Sequence, residues 1–286
     1  MKTDKMRSRV IIFCLLFLAT GLYARTLQKD TASIECVYEY CFLRDTSSRM
    51  SEDGRLISGD SLHIRRDTML LQIGAGASRY YGYETFLQDS LAEAFLKLTG
   101  TRMKNDRFSD AVFMIYKDRR SSQVITTDNI LLSPFIVTEQ TPDFKWILQD
   151  EWKEFAGYRV RRAECSFRGR DYVAWFAPEI PVSDGPWKFS GLPGLIVEVY
   201  DVPCEYRYSL IGLRNVVREI GIPDENYMET DLKTYYRTLK RAIENPPLYV
   251  EATFSGPVYW KDTEGNPIDP AITKQTLKYE FQEIIK

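Results

Sequence analysis

The chain has 286 residues with a formal net charge of −2 at neutral pH, and 27% of its residues are charged. This mildly acidic composition of mixed sign offers no basic surface for nucleic acid, so nucleic acid is excluded as a partner. The length is sufficient for one domain with a sizeable hydrophobic core, and aromatic residues make up 13% of the sequence.

The N-terminus has the pattern of a secretory signal peptide. Several basic residues precede a short apolar run at 10–19, and the small residue Ala24 provides a cleavage point. We predict that 1–24 is removed and that 25–286 forms a single domain. The apolar run is too short to span a bilayer comfortably, so the cleaved protein is not expected to be an integral membrane protein. The pattern predicts export through the inner membrane, to the periplasm, the outer membrane or the exterior.

Strand patterns dominate the first half of the mature chain. The segment Ile34–Leu43 is rich in Val, Tyr and Phe and predicts a first strand, and 60–74 predicts one or two more. Apolar residues at helical spacing then predict a helix within 82–98, which Gly100 ends. Short strand-like runs resume at Ala111.

The second half predicts two hairpins and another helix. The first hairpin pairs 157–167 with 171–177 through the turn "RGR", and the second pairs 194–201 with 206–217. A helix is expected over Asp231–Glu244, where Pro246 and Pro247 follow. The predicted fold class is α+β: a mainly antiparallel curved β-sheet with two or three helices packed on one face. By fold-level analogy alone, it resembles the half-barrels of lipoprotein carriers.

The mature chain contains four cysteines, and export would permit disulfides between them. Cys36 and Cys41 lie five positions apart in one predicted strand, on opposite faces and roughly 16 Å apart. A bond between them is excluded because a disulfide needs much closer Cα atoms. A disulfide between Cys165 and Cys204, a crossed pairing, and four reduced thiols all remain open.

The sequence contains no recognisable catalytic, metal or cofactor motif. The one histidine, His63, lies on a predicted strand, and Ser190 does not occupy a G-x-S-x-G turn. One histidine and scattered cysteines do not make a zinc site. Gly74 and Gly76 match the first two glycines of the G-x-G-x-x-G motif of dinucleotide-binding sites, but Arg79 occupies the position of the third glycine. We therefore predict no cofactor and no metal.

Carboxylates near one segment leave a hydrolase as an alternative function. Glu179, Asp184 and Glu198 flank a stretch rich in glycine and proline. Two carboxylates can hydrolyse a glycosidic bond if the fold spaces them correctly and raises the pKa of one of them. The sequence does not show such spacing, and solvated faces or turn caps also account for these residues.

The stretch "DGPWKFSGLPGLIVEVYD" at 184–201 is the most distinctive in the chain. Pro193 and Gly194 fit the second and third positions of a type II turn, and 195–200 then alternates as a strand. A phosphate-binding loop would need Lys and Ser or Thr after its last glycine, where Leu195 and Ile196 stand. The stretch therefore predicts a sharp corner that leads into a strand. We call 184–201 the signature segment.

The hexapeptide Gly191–Ile196 resembles, letter for letter, the signature of the GLPGLI family, exported proteins of Bacteroidetes first noted around Porphyromonas. The similarity extends over about Phe144–Asp201, and more weakly over 70–90. Family members often carry a cysteine where this chain has Val160, and Cys165 stands a few residues later. The resemblance implies export and one envelope domain. It carries no established activity or catalytic residue.

These observations favour a non-enzymatic envelope protein that binds a peptide, a lipid or a protein partner beside the signature corner. Trp175 and Phe176 are interpreted as core residues, because rings behind a corner commonly fill the core. Aromatic rings beside backbone donors suit a binding groove. The predicted binding residues are Trp187, Phe189, Gly191, Leu192, Pro193 and Gly194.

Overall fold

The computed structural model describes residues 29–45, 47–59, 63–101, 113–131, 133–253, 266–267 and 282–283, apart from the side chains of residues 89, 92 and 93. The predicted signal peptide lies outside the described residues. The strands are β1 Asp30–Leu43, β2 Arg49–Met50, β3 Leu56–Ser58, β4 Ile64–Gly74, β5 Ala77–Gly82, β6 Met114–Asp118, β7 Gln123–Ile130, β8 Ser133–Gln140, β9 Ile147–Phe155, β10 Tyr158–Phe167, β11 Arg170–Ala177, β12 Leu195–Asp201, β13 Tyr206–Ile220 and β14 Met228–Thr230. The helices are α1 Tyr83–Thr99, α2 Leu232–Glu244 and α3 Pro246–Thr253.

Twelve strands form one large curved sheet in the order β14-β8-β7-β6-β5-β4-β1-β13-β12-β11-β10-β9, and β2 pairs with β3 separately. All the neighbouring pairs are antiparallel except β14 and β8, which run parallel with Met228 opposite Phe135. The predicted α+β class and mainly antiparallel curved sheet are therefore confirmed. Both predicted hairpins are present, as β10–β11 and β12–β13.

The centre of the sheet joins two strands that lie far apart in the chain. β1 lies between β4 and β13, and its pairing with β13 extends from Asp30 opposite Ile220 to Phe42 opposite Tyr206. The strand patterns of β1 and β13 were readable in the sequence, but their pairing was not, because it joins segments far apart in the chain.

The two predicted helices begin and end close to the expected residues. Asp231 precedes α2 as its N-cap and accepts a hydrogen bond from Thr234 N at 2.9 Å. Gly100 ends α1 in the left-handed conformation, with φ of 69°, and its N–H donates to Leu96 O. Aspartate and glycine are common at these two positions because they satisfy orphan backbone groups of a helix.

Two clusters of buried residues define the two faces of the sheet. The main core face carries Tyr38, Tyr40, Met69, Leu71, Tyr80, Ile115 and Tyr208. The second face carries Leu70, Tyr81, Met114, Tyr116 and Ile125. Helix α2 lies against β7 and β8 on the main core face and contacts α3. Helix α1 packs on the second face through Phe86 and leaves other apolar residues such as Leu91 exposed.

All four cysteines in the described chain are free, buried thiols. Cys165 lies on β10, and Cys204 lies in the turn that follows β12. Strand β11 separates β10 from β12. Neighbouring strands are about 4.8 Å apart, so two strand spacings exceed the reach of a disulfide. The Cys165–Cys204 disulfide that the sequence left open is not formed.

Candidate ligand-binding site

The signature segment places an aromatic side chain at the centre of the core. Phe189 is fully buried, and its ring centroid lies 5.0 Å from those of Tyr172 and Trp187 and 5.2 Å from that of Phe144. Such ring pairs contribute more than the burial of their area alone. The segment before β12 is thus anchored over the main core face by its own aromatic residue.

A buried ion pair holds the same segment against β6. Lys117 forms a salt bridge with Asp184, and both side chains are almost fully buried. The Lys117 ammonium also donates to Gly185 O at 2.6 Å and to Phe189 O at 3.3 Å. Burial lowers the pKa of Lys117, and the Asp184 carboxylate opposes this shift. Arg119 adds a second contact to Asp184 at 3.0 Å. One lysine therefore binds both the first carboxylate of the segment and two of its carbonyl oxygens.

The glycine-proline corner is tighter than the type II turn predicted from the sequence. Gly194 N donates to Leu192 O at 2.9 Å, and Leu195 N donates to Ile180 O at 3.1 Å. Gly194 has a φ of 157°, far from the +80° of a type II turn. A Cβ at this position would lie 2.3 Å from Ala177 O. Glycine is needed because two backbones approach closely, so the type II turn was wrong.

Gly194→Ala is expected to lower the free energy of unfolding by about 1–3 kcal/mol, because a new methyl group would force the backbone of Ala177 to move. Urea denaturation measures the loss. Gly212→Ala is the control, since its Cβ would lie 3.6 Å from Val37, an ordinary contact distance. Equal stability of the Gly194→Ala and Gly212→Ala variants would contradict the close approach.

A second buried ionic network begins at the neighbouring lysine. Lys188 is 2% exposed and pairs with Glu139 at 2.5 Å and with Glu283 at 2.8 Å. Arg168 contacts both of these carboxylates, and the hydroxyl of Tyr236 donates to Glu283 at 2.6 Å. Two cations thus balance two anions. Sequence reasoning missed this network; the one available signal was a lysine between Trp187 and Phe189, in apolar surroundings.

A cavity of about 340 Å³ lies between the main core face and α2. The sheet, the signature segment and α2 supply seven aromatic side chains to its wall: Tyr40, Phe42, Phe113, Trp187, Tyr206, Tyr235 and Tyr236. Aliphatic residues complete it, among them Ile115, Val137, Leu232, Leu239 and Ile243. Pockets of this size and lining are typical of sites for small apolar ligands.

Polar groups in the cavity wall have spare hydrogen-bonding capacity. Within the described part of the chain, Thr126 Oγ1 and Gln282 Nε2 are buried and have no hydrogen-bond partner. Asp128 also lines the cavity and accepts hydrogen bonds from Tyr235 Oη and from Asn129 N. Burial raises the pKa of the Asp128 carboxyl. Unpaired buried groups are costly, so they commonly mark a place where a ligand or water binds.

A smaller groove of about 230 Å³ lies directly beside the signature corner. Gly191, Leu192 and Pro193 form one side of it, and Phe144 and Trp146 belong to the other. Trp146 Nε1 donates to Ser190 O at 2.8 Å, which ties the two sides together.

The predicted binding residues are divided between these sites and the core. Trp187 lines the larger cavity, and Gly191, Leu192 and Pro193 line the smaller groove. Phe189 lies fully inside the core, and Gly194 lies at the tight corner. The two rings interpreted as core residues, Trp175 and Phe176, are indeed buried.

The carboxylates of the hydrolase alternative do not converge. Glu179 is exposed. Asp184 contacts Lys117 on the main core face. Glu198 lies opposite Ser209, which is next to Tyr208 in β13. Because Tyr208 faces the main core and neighbouring residues of a strand face opposite sides, Glu198 faces the other side of the sheet. There it is held by Lys153 at 2.5 Å and by Arg207 at 2.8 Å. The sheet itself therefore separates the two buried acids.

The remaining candidate groups do not assemble a reactive centre either. His63 Nδ1 lies 2.9 Å from Ser48 Oγ, but Ser48 is only 1% exposed, so a substrate does not reach it. Within the described ranges, no group of three or more His, Cys, Asp or Glu residues is placed to hold a metal ion. No helix of the described chain is long and apolar enough to cross a membrane.

Comparison with known proteins gives one partial family match. Residues 166–198 match the family model described as "Protein of unknown function (Porph_ging)". The signature corner is therefore similar to that family. This match extends from the end of β10 into β12 and includes the whole loop that carries Trp187, Lys188 and Phe189.

Similarity to solved structures is low, and it covers only part of their length. Two structures of PNGF-II, in the P21 and C2 space groups, superpose with a TM-score of 0.47 at 13% and 12% identity. They cover 75% of this chain, which spans only 34% and 33% of their own length. No curated protein matches the sequence.

Proposed function

We propose that this chain is an exported, non-enzymatic envelope protein that holds an apolar ligand of the lipid class in the cavity between the main core face and α2. The proposal is carried by the convergence of seven aromatic side chains on one cavity of about 340 Å³. Burial of an alkyl chain against such a wall is favourable by about 0.8 kcal/mol per CH₂ group.

A lipid chain suits this wall better than a peptide does. A peptide brings an amide N–H and a carbonyl at nearly every residue, and each needs a partner once water is removed. The wall is made mainly of aromatic and aliphatic side chains. An alkyl chain has no such requirement, and the few polar groups are then free to bind its head.

The signature segment has a positional role in this proposal. Lys117 and Phe189 fix the loop, and the loop in turn carries Trp187 into the cavity wall. Trp187 adopts a positive φ of 49°, which is uncommon for a bulky residue and requires a well-anchored backbone. The corner thus serves the cavity by holding one of its walls in place.

Export to the cell envelope is supported by the basic and apolar pattern of residues 1–24. A periplasmic, outer-membrane or secreted location is compatible with that pattern. We do not propose the carboxylate-dependent hydrolase, because its two buried acids lie on opposite faces of the sheet and are paired with cations, and the third acid is exposed.

We expect 1-octanol to bind the purified protein with one-to-one stoichiometry in isothermal titration calorimetry. Leu239→Trp should weaken this binding at least ten-fold, because the larger side chain fills part of the cavity. The matched control is Lys240→Trp, on the next residue of α2, which is exposed and does not line the cavity.

Thermal unfolding of both variants confirms that each is folded before titration. Binding that is lost only in Leu239→Trp supports the proposal. The proposal is contradicted if 1-octanol does not bind the native protein, or if it binds Leu239→Trp and Lys240→Trp equally.

A further inference from the structure

We infer that the cavity ligand carries a primary ammonium group, which the Asp128 carboxylate and the Thr126 hydroxyl bind on β7. This inference rests on the proposed function, and it names the chemistry of the ligand's head. The apolar remainder of the ligand would lie against the aromatic wall.

The two acceptors share one face of a single strand. Thr126 lies opposite Ile115 on one side and Val137 on the other, which places it on the main core face. Asp128 is two positions further along β7 and therefore points to the same side, about 7 Å away. Both side chains line the cavity. A group of ammonium size can lie between them.

Among the described residues, the donors to Asp128 leave part of its acceptor capacity unused. Its Oδ1 accepts from Asn129 N at 2.7 Å, and its Oδ2 accepts from the hydroxyl of Tyr235. A carboxylate can accept about four hydrogen bonds, so further positions remain. Thr126 Oγ1, beside it, is buried and has no partner within the described part of the chain. An ammonium has three donors and no acceptor, and it matches this pair.

The cations that line the cavity do not neutralise Asp128. Lys188 is held by Glu139 and Glu283 in the balanced network. Arg44 follows β1, which is separated from β7 by β4, β5 and β6. Among the described residues, Asp128 makes its contacts with neutral donors alone. A half-buried carboxylate without a nearby cation favours a positively charged ligand and disfavours an anionic one.

The aromatic wall adds attraction for the same charge. Tyr235, which donates to Asp128, lies edge to face with Tyr236 at a centroid distance of 5.1 Å, and both rings line the cavity. A cation near the faces of such rings is stabilised by their quadrupoles. A carboxylate or phosphate head in this position would meet both the Asp128 charge and the negative ring faces.

The test compares three probes with the same alkyl chain: octylamine, 1-octanol and octanoate, titrated by calorimetry at pH 7. We expect octylamine to bind the native protein at least ten-fold more tightly than 1-octanol, and octanoate to bind more weakly than either. Asp128→Asn should reduce octylamine affinity to the level of 1-octanol, a much larger loss than any it causes for 1-octanol. Thr126→Val should weaken octylamine binding several-fold, because the ammonium loses one acceptor.

Glu229→Gln is the matched control, because Glu229 is an exposed acid on β14, which β8 separates from β7. It should change neither affinity. If 1-octanol binds but octylamine binds no more tightly, the ammonium is wrong and the apolar cavity stands. If neither probe binds, both proposals fail. If Asp128→Asn weakens octylamine and 1-octanol equally, Asp128 only shapes the cavity and the inference is overturned.

Discussion

Lys117→Met is expected to lower the free energy of unfolding by about 3–5 kcal/mol, as is typical when one partner of a buried ion pair is removed. Among the described residues, Asp184 would keep Arg119 as its one cationic partner, and the Arg119 side chain is 39% exposed. The carbonyls of Gly185 and Phe189 would also lose their donor. The loop that carries Trp187 would then lose its main anchor to β6. Urea denaturation at pH 7 measures the effect.

The matched control for this variant is Lys29→Met. Lys29 also forms a lysine–carboxylate pair, with Glu219, but their side chains are 65% and 68% exposed. Exposed pairs contribute about 0–1 kcal/mol, so the control should be nearly neutral. A loss below about 1 kcal/mol for Lys117→Met would show that the buried pair does not anchor the segment.

Phe189→Ala is expected to cost about 3–5 kcal/mol, the usual range for removing a fully buried aromatic ring. The ring contacts Tyr172, Trp187 and Phe144, which come from different segments, so no single rearrangement closes the space it leaves. The midpoint of urea denaturation should fall accordingly, with an unchanged slope.

Phe95→Ala provides the comparison for this second variant. Phe95 lies on α1 and is 38% exposed, so its removal deletes less buried surface and leaves no enclosed cavity. We expect a loss of about 1 kcal/mol or less. Similar losses for the two phenylalanines would mean that Phe189 is not the centre of the signature packing.

The candidate site was only partly readable from the sequence. Trp187 was predicted to bind a ligand as an aromatic ring beside backbone donors, and it does line the cavity. Phe189 was grouped with it, but its ring is fully buried in the core against Phe144 and Tyr172. Asp128 and Gln282 had no local signal, because each becomes part of the cavity only when β7, α2 and the segment at 282–283 meet. A motif search does not detect residues that converge from distant segments.

Local patterns determined the elements of this protein. Asp231 before α2, Gly100 after α1 and the alternation of 195–200 each indicated an element, because capping and side-chain periodicity depend on neighbours in the chain. The glycine-proline corner was also evident, although its geometry was not. Position 194 requires a glycine because a Cβ atom there would collide with the carbonyl oxygen of Ala177, which lies in another segment.

Only the tertiary structure decided which faces and charges meet. The pairing of β1 with β13 brings Tyr40 beside Tyr208, and the register of β12 with β13 turns Glu198 away from the face on which Asp184 contacts Lys117. The tertiary structure also buries Lys117 and Lys188, which composition alone would assign to the surface. Burial makes those charges depend on particular partners, and the partners lie far away in sequence. The sequence therefore determined the strands, helices and corner, whereas long-range packing created the cavity and the buried ion pairs that hold its wall.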